Sequence, residues 1–493
     1  MTHGPKRTQP QSQPKTQAPT SGRTSLSPAL WALLVGALVG VLVISAGALA
    51  TAAPQQPPTN PSPTNAQPET EAETLPDQAD DERFELTLED NQRPRIRLAF
   101  PDMEGVGEYG GEAGRSAKLL DQTLRGDLEE TRMFDIHGPW AFDVLDLTGS
   151  RAEDFEQYRS LGDEVVLLGK VEPNRDRLVF EGRLYDLKGG QAILAKRYSG
   201  PLASTRRIAH TFADDIVEFL SGRRGIAQSR IAFTSTRGGN KEVYVMDYDG
   251  ANQRPVTAHR STSMTPAWHP SGQYLAYTSF VGGPPSIYRA ELATGRKSPL
   301  LSGEKQNISP SYSPDGSRIV FSRALGANSE IFVANADGSN VRRLTHSQAI
   351  DTNPVWSPTG SEIAFTSSRA GNPHIFLMDA EGSNVRRVTF QGNYNDGASW
   401  NAEGDRIAYA SRRRGGFDIA VTDVVTLETR LLTRGPGSHE EPTFSPDGRR
   451  IAFSSNRSGS KQIWMMDADG SNLRALTGQG ENQSPSWSGY PPR

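Results

Sequence analysis

Phe233, Tyr277, Phe321, Phe365, Tyr409 and Phe453 follow one another at intervals of 44 residues. Trp268, Tyr312, Trp356, Trp400 and Phe444 keep the same step, and Trp487 ends that series one residue early. Register held this strictly marks one supersecondary unit copied in tandem, because each copy must bury its face against the next. A unit of this length with four short apolar runs separated by turn residues is a propeller blade.

The unit beginning at Pro442 shows the grammar. Thr443 and Phe444 belong to a first strand, and Pro446-Asp447-Gly448 supplies the residues of a tight reversal. Ile451-Ala452-Phe453 is a second strand, apolar as a run because a blade is covered on both faces. Ile463–Met466 forms a third strand, Asp469-Gly470 turns it, and Leu473–Thr477 forms a fourth. Residues 230–257 hold only the last three strands of a unit, whereas Gln483–Ser488 reads as a first strand alone. Pairing these ends makes a sixth blade and removes the open sheet edges that invite aggregation. The sequence therefore predicts an all-β six-bladed propeller over 226–490.

Upstream, residues 1–28 form a basic polar tail carrying Lys6, Arg7, Lys15 and Arg23. Residues 29–52 contain an uncharged apolar stretch, long for a signal peptide and about long enough to cross a bilayer. Cleaved signal and retained anchor are both consistent with it. Either one puts the following chain outside the inner membrane, since the basic flank stays in the cytoplasm. Residues 53–83, rich in Pro, Gln, Thr and acidic side chains, cannot bury a core and read as a tether. Residues 84–222 read as a small α/β domain. Arg95–Phe100 alternates as a strand, and Ala113, Ala117, Leu120, Leu124 and Leu128 give a helical stripe. Val165–Leu168, Leu178–Tyr185 and Ile193–Tyr198 are further strands. Ile208, Phe212, Ile216 and Phe219 mark a closing helix, with Ser204 or Thr205 as N-cap and Gly222 past its end.

Chemistry motifs give way to plainer readings. Gly105-Val-Gly107-Glu-Tyr-Gly110 matches G-x-G-x-x-G between a strand and a helix, but Glu104 and Glu108 would face a pyrophosphate, so a connecting loop is expected. The Asp-x-Asp-Gly series (Asp247/Asp249, Asp467/Asp469 and copies) places Gly fourth, where a calcium loop needs it sixth, and reads as strand reversals. Arg237, Arg369, Arg413 and Arg457 share one position of the frame and are expected to pair with a nearby Asp such as Asp247, Asp379 or Asp467. The sequence has no Cys, no G-x-S-x-G elbow and no H-E-x-x-H, so neither an enzyme nor a cofactor nor a bound metal is expected. A net charge of −4 gives no basic footprint for nucleic acid.

The loops entering each first strand remain. Ser263, Asn307, Asp351, Asn395, His439 and Asn482 stand at one frame position and are polar in every blade. They are expected either to satisfy backbone groups at strand starts or to ring one mouth of the channel as a polar, mildly acidic rim (Asp351, Asp396, Glu440, Glu441 and Glu481) that receives a protein or peptide. In the second case Ser263, Gln306, Asn307, Ser309, Asp351, Thr352, Asn395, His439 and Glu440 are the candidate partner contacts.

Residues 84–490 resemble the TolB family of the periplasmic Tol–Pal envelope system. The resemblance rests on the α/β domain ahead of the propeller, on Thr265–Gly272 (TPAWHPSG), on Tyr244–Asn252 (YVMDYDGAN) and on Ser484–Ser488 (SPSWS). It implies a non-catalytic adaptor, a monomer whose propeller mouth binds a Pal-like lipoprotein. It further implies an extended N-terminal segment that engages a TolA-like protein, here Phe84, Leu86 and Leu88. The tether and apolar segment ahead of Phe84 depart from the family pattern. A membrane-anchored sensor or carrier that captures a peptide or glycan in the channel is the competing expectation.

Overall fold

The structure, a computed structural model, describes Met1 and residues 95–491 except 109, 143–144, 146–150 and 175. The apolar segment, the tether and Phe84, Leu86 and Leu88 lie outside the described residues.

The α/β domain is one five-stranded sheet formed by β1 (Ile96–Ala99), β2 (Phe134–His137), β3 (Val165–Asn174), β4 (Arg177–Asp186) and β5 (Gln191–Pro201), in the order β2-β1-β3-β4-β5. β1 runs parallel to β2 and β3, and the other neighbours are antiparallel. Its helices are α1 (Gly111–Glu130), α2 (Arg151–Ser160) and α3 (Thr205–Ser221). The stripe Ala117, Leu120, Leu124 and Leu128 on α1 and the stripe Ile208, Phe212 and Ile216 on α3 share one core with Leu98 and Phe180 of the sheet. Burial of such faces is the main source of stability for helices this long. Phe155 and Tyr158 of α2 pack into a separate cluster with Ala99, Val166 and Tyr185.

One of the two expected ends of α3 differs from the sequence expectation and the other agrees. Ser204 precedes α3 but makes no side-chain capping bond, and Thr205, the other candidate, turns its hydroxyl back to the Leu202 carbonyl at 2.7 Å. Gly222 does end the helix, in the left-handed region at φ 68°.

Six four-stranded sheets follow. Blades 1 to 5 begin with the strands Ser263–Trp268, Asn307–Tyr312, Asp351–Trp356, Asn395–Trp400 and His439–Phe444. Blade 6 joins Asn482–Trp487 to Arg230–Gly238, with Trp487 opposite Ile231. The closure is pinned where the buried Trp487 indole donates to Ser229 Oγ at 2.9 Å. The predicted Asp-Gly reversals also seal the blades to one another. A Cβ on Gly382 would lie 2.6 Å from the Leu344 carbonyl oxygen of the preceding blade, and Gly250 faces Leu476 at 2.7 Å across the closing seam. The nearby carboxylates are consumed locally: Asp467, for example, accepts from Asn472 Nδ2 at 2.6 Å.

The α/β domain is welded to blade 6 through charged side chains. Arg206 of α3 reaches Asp247 and Asp249 at 3.2 and 2.5 Å. His210 meets Asp127 of α1 at 2.7 Å, and Tyr248 donates to the same carboxylate at 2.9 Å. Burial raises the Asp127 pKa against the pull of His210 and Tyr248. Burial also disfavours a charged His210, yet its bonds to Asp127 and Asp247 lift its pKa to about 9. A protonated His210 between two carboxylates is the arrangement that leaves the fewest buried charges unpaired.

Candidate protein-binding face

The first strand of each blade contacts the first strands of both neighbours, so these six strands close around the propeller axis. Every one is interrupted by a bulge. In blade 2, Asn307 and Ile308 pair with Arg323 and Ser322, and pairing resumes at Ser311 with Val320, leaving two residues opposite one. The extra residue takes a left-handed conformation in all six blades: Thr265, Ser309, Asn353, Gly397, Glu441 and Ser484 have φ between 49° and 71°. Five of the six are not glycine, and five stand directly before proline, a place that ordinarily forces extended backbone. Such strain, on the order of 1–2 kcal/mol per residue, persists only where surrounding contacts enforce it.

Those contacts run from blade to blade. Ser309 N donates to Thr278 Oγ1 at 3.1 Å, and Ser309 Oγ donates to Asn353 Oδ1 at 2.8 Å. Asn353 Nδ2 donates to Asp396 Oδ1 at 2.8 Å. Glu441 accepts from Ser484 N and Oγ at 2.7 and 2.8 Å, and from Ser454 Oγ at 2.8 Å. The bulge thus turns short polar side chains toward the next blade and builds a polar collar at the axis. Its charge is uneven. Lys461 donates to Glu440 at 3.1 Å; burial opposes its ammonium, but Glu441, Glu440 and Glu481 together hold its pKa above the ordinary lysine value. Blades 1 and 2 present Met264 and Ile308 at the position of Glu440.

The structure divides the sequence-predicted residues into two sets. Ser263, Asn307, Asp351, Asn395 and His439 are at most 1% exposed, which corrects the expectation that they stand open at the rim. Each is spent inside the propeller. Asn307 accepts from Arg323 Nε at 2.7 Å, Asp351 from Arg369 at 2.8 Å, and Asn395 donates to His374 at 3.0 Å. Ser263 and His439 pair with Ser279 and Ser455 at 3.2 and 2.9 Å. Burial pushes the Asp351 carboxyl above the ordinary range, with Ser367 and Arg369 pulling the other way. The reason is the pleat: at the first residue of the strand the side chain points between blades, not into the mouth. Gln306 is exposed, and Ser309, Thr352 and Glu440 are half-buried beside the collar. Asp396 and Glu441 of the expected acidic rim belong to the same collar, as do Thr265, Asn353 and the buried Ser484, which were not singled out; the polar residue directly ahead of the strand proline was the signal for these last three.

The arginine series is also reassigned. Arg369 pairs with Asp351 rather than Asp379, Arg413 with Asp418 at 3.4 Å, and Arg237 with the neutral Gln253 and Asn482. Arg237, Arg369 and Arg457 also stack on their blade's aromatic residues, Arg369 at 5.2 Å from both Phe365 and Phe376.

Fold and face together define a closed propeller whose collar is built of hydrogen-bonding side chains, with an α/β domain locked to blade 6 and, through Glu130 with Arg450 and Arg474, to blade 5. Residues 217–491 match the TolB beta propeller domain family. The chain belongs to that family. It is 39% identical over 180 residues to the Tol-Pal system protein TolB of Geobacter sulfurreducens, covering 36% of this chain and 41% of that relative. The Protein TolB homolog of Chlorobium chlorochromatii is 35% identical over 166 residues, covering 34% of this chain and 38% of the relative. The matched region therefore spans about two fifths of these relatives. The crystal structure of TolB from Acinetobacter baumannii superposes with a TM-score of 0.69 at 26% identity, covering 81% of this chain and 98% of that one.

Proposed function

We propose that this protein is a non-catalytic periplasmic scaffold of a Tol–Pal-type system. Its collar face binds a Pal-like peptidoglycan-associated lipoprotein and so helps to maintain the outer envelope, cell division and protein import. The observation that carries this reading is the collar itself: left-handed, mostly non-glycine residues repeated in six blades, held by bonds between blades. Strain maintained in five of the six copies is characteristic of a surface shaped for recognition. The collar is polar, and its carboxylates are tied to serines and lysines rather than arranged beside a nucleophile.

The contact set proposed is Gln306, Ser309, Thr352 and Glu440 from the original rim, joined by Asn353, Asp396 and Glu441. The buried Ser263, Asn307, Asp351, Asn395 and His439 support these from behind. Phe84, Leu86 and Leu88 are proposed as the segment that meets a TolA-like partner. The test is a calorimetric titration of the full chain with the Pal homologue of the same organism. Low-micromolar or tighter binding is expected, weakened roughly 30-fold by truncating one central contact such as Asn353. Absence of binding at high micromolar concentration counts against the proposal.

A further inference from the structure

One frame position is aromatic in five blades and not in the sixth. Tyr244, Tyr288, Phe332, Phe376 and Trp464 are matched in blade 4 by Ala420. In the other blades this ring stands beside the second-strand aromatic, as Phe376 does with Phe365 at 6.1 Å between centroids. The pair also carries a stacked guanidinium in blades 2, 3 and 6. In blade 4 the missing ring coincides with a cavity of about 530 Å³, a volume within the range of small-ligand sites. Tyr409, Ala420 and Leu431 give it an apolar floor, and Arg413 and Arg414 line it as well; Arg412 borders it but pairs with Phe417, so its side chain leaves the opposite face of the sheet.

The arginines belong to the hairpin joining Arg406–Arg413 to Gly416–Asp423. Without a second ring beneath it, Arg413 is 53% exposed at the side chain, against 24% for Arg369. Arg413 pairs with Asp418 at 3.4 Å, whereas Arg414 has no acidic side chain within ion-pair distance among the described residues. The cavity therefore offers apolar depth and uncompensated positive charge at its entrance. Because Ser411 pairs with Asn395 at the start of the first strand, it opens on the same face as the collar.

We propose that blade 4 holds a binding site for a small apolar carboxylate, the apolar body lying over Tyr409 and Ala420 and the carboxylate held by Arg413 and Arg414. Guanidinium pairs recognise a carboxylate through parallel N–H donors. A free acid and the C-terminal residue of a peptide share this chemistry.

The test is ligand-observed NMR on the full chain with 3-phenylpropionate, 3-phenylpropanol and the peptide Gly-Gly-Gly-Phe with a free or amidated terminus. Saturable binding of the acid is expected, with the alcohol and the amidated peptide weaker by about tenfold. Preference for the free acid over the free-terminus peptide assigns a metabolite-type ligand, and the reverse assigns a peptide end. Ala420→Phe rebuilds the ring found in the other blades, so it should fold normally while abolishing binding; Ala420→Leu fills the floor if the larger ring does not fit. Arg414→Gln should weaken the acid by about tenfold and leave the alcohol unchanged. Acid binding that survives filling of the floor, equal binding of acid and alcohol, or no saturable binding of either carboxylate overturns the proposal. None of these outcomes bears on lipoprotein binding at the collar.

Discussion

Replacing Trp487 by Ala tests how strongly the two ends of the propeller are joined. The indole is 7% exposed, sits in the last strand opposite Ile231, and donates to Ser229 Oγ at 2.9 Å. Truncating a buried Trp to Ala costs about 3–5 kcal/mol through lost transfer energy and the cavity left behind. Losing the hydrogen bond adds about 1 kcal/mol, the Ser229 hydroxyl keeping its own bond to the Ile226 carbonyl at 2.6 Å. For a domain of this size a loss of about 4–6 kcal/mol corresponds to a fall in Tm of roughly 8–20 °C. Trp487→Phe keeps most of the ring and removes only the N–H donor, so it should cost about 1–2 kcal/mol. Thermal unfolding followed by circular dichroism measures both. If Trp487→Ala lowers Tm by less than about 3 °C, the closing strand is not seated as described and the reasoning fails.

Three further outcomes follow from particular contacts. Gly382→Ala should destabilise by at least about 2 kcal/mol, since the residue holds φ 93° and the new methyl meets the Leu344 carbonyl; a neutral result in urea unfolding would contradict the blade-to-blade seal. His210, with its pKa lifted from 6.5 to about 9, stabilises the folded state as a cation. That contribution is complete below pH 6.5 and fades as pH rises through about 9, so the Tm gap between wild type and His210→Gln should shrink on going from about pH 6 to pH 10. A constant gap would show that His210 is not charged in the weld. Glu441→Ala removes the acceptor of three hydrogen bonds and should cost about 2–4 kcal/mol in chemical denaturation; a loss below about 0.5 kcal/mol would remove the collar's claimed rigidity.

The propeller was legible because its signals are local and repeated: a 44-residue aromatic step, Asp-Gly reversals and an unmatched strand at each end. The helical stripes of α1 and α3 were equally plain. β2 has only four residues, and α2 places just Phe155 and Tyr158 toward the core, leaving too little periodicity to read. The rim was read one step out of phase. Polar residues at Ser263, Asn307, Asp351, Asn395 and His439 mark strand starts, but whether such a residue faces the mouth or the gap between blades depends on the bulge that follows. That bulge is set by contacts 44 residues away, such as Ser309 with Asn353. The arginine partners were misassigned for the same reason, since Arg369 finds its carboxylate on the first strand of its blade, 18 residues back. The weld of Arg206, His210 and Asp127 to blade 6 depends on tertiary placement that no short motif announces.

Amide hydrogen exchange on the full chain, alone and with the organism's Pal homologue, tests the central claim most directly. The account predicts slowed exchange around Gln306–Ser309, Thr352–Asn353, Asp396–Gly397 and Glu440–Glu441, with the outer strands of the blades unchanged. Protection confined to the outer strands or the α/β domain, or no change at saturating lipoprotein, would contradict it.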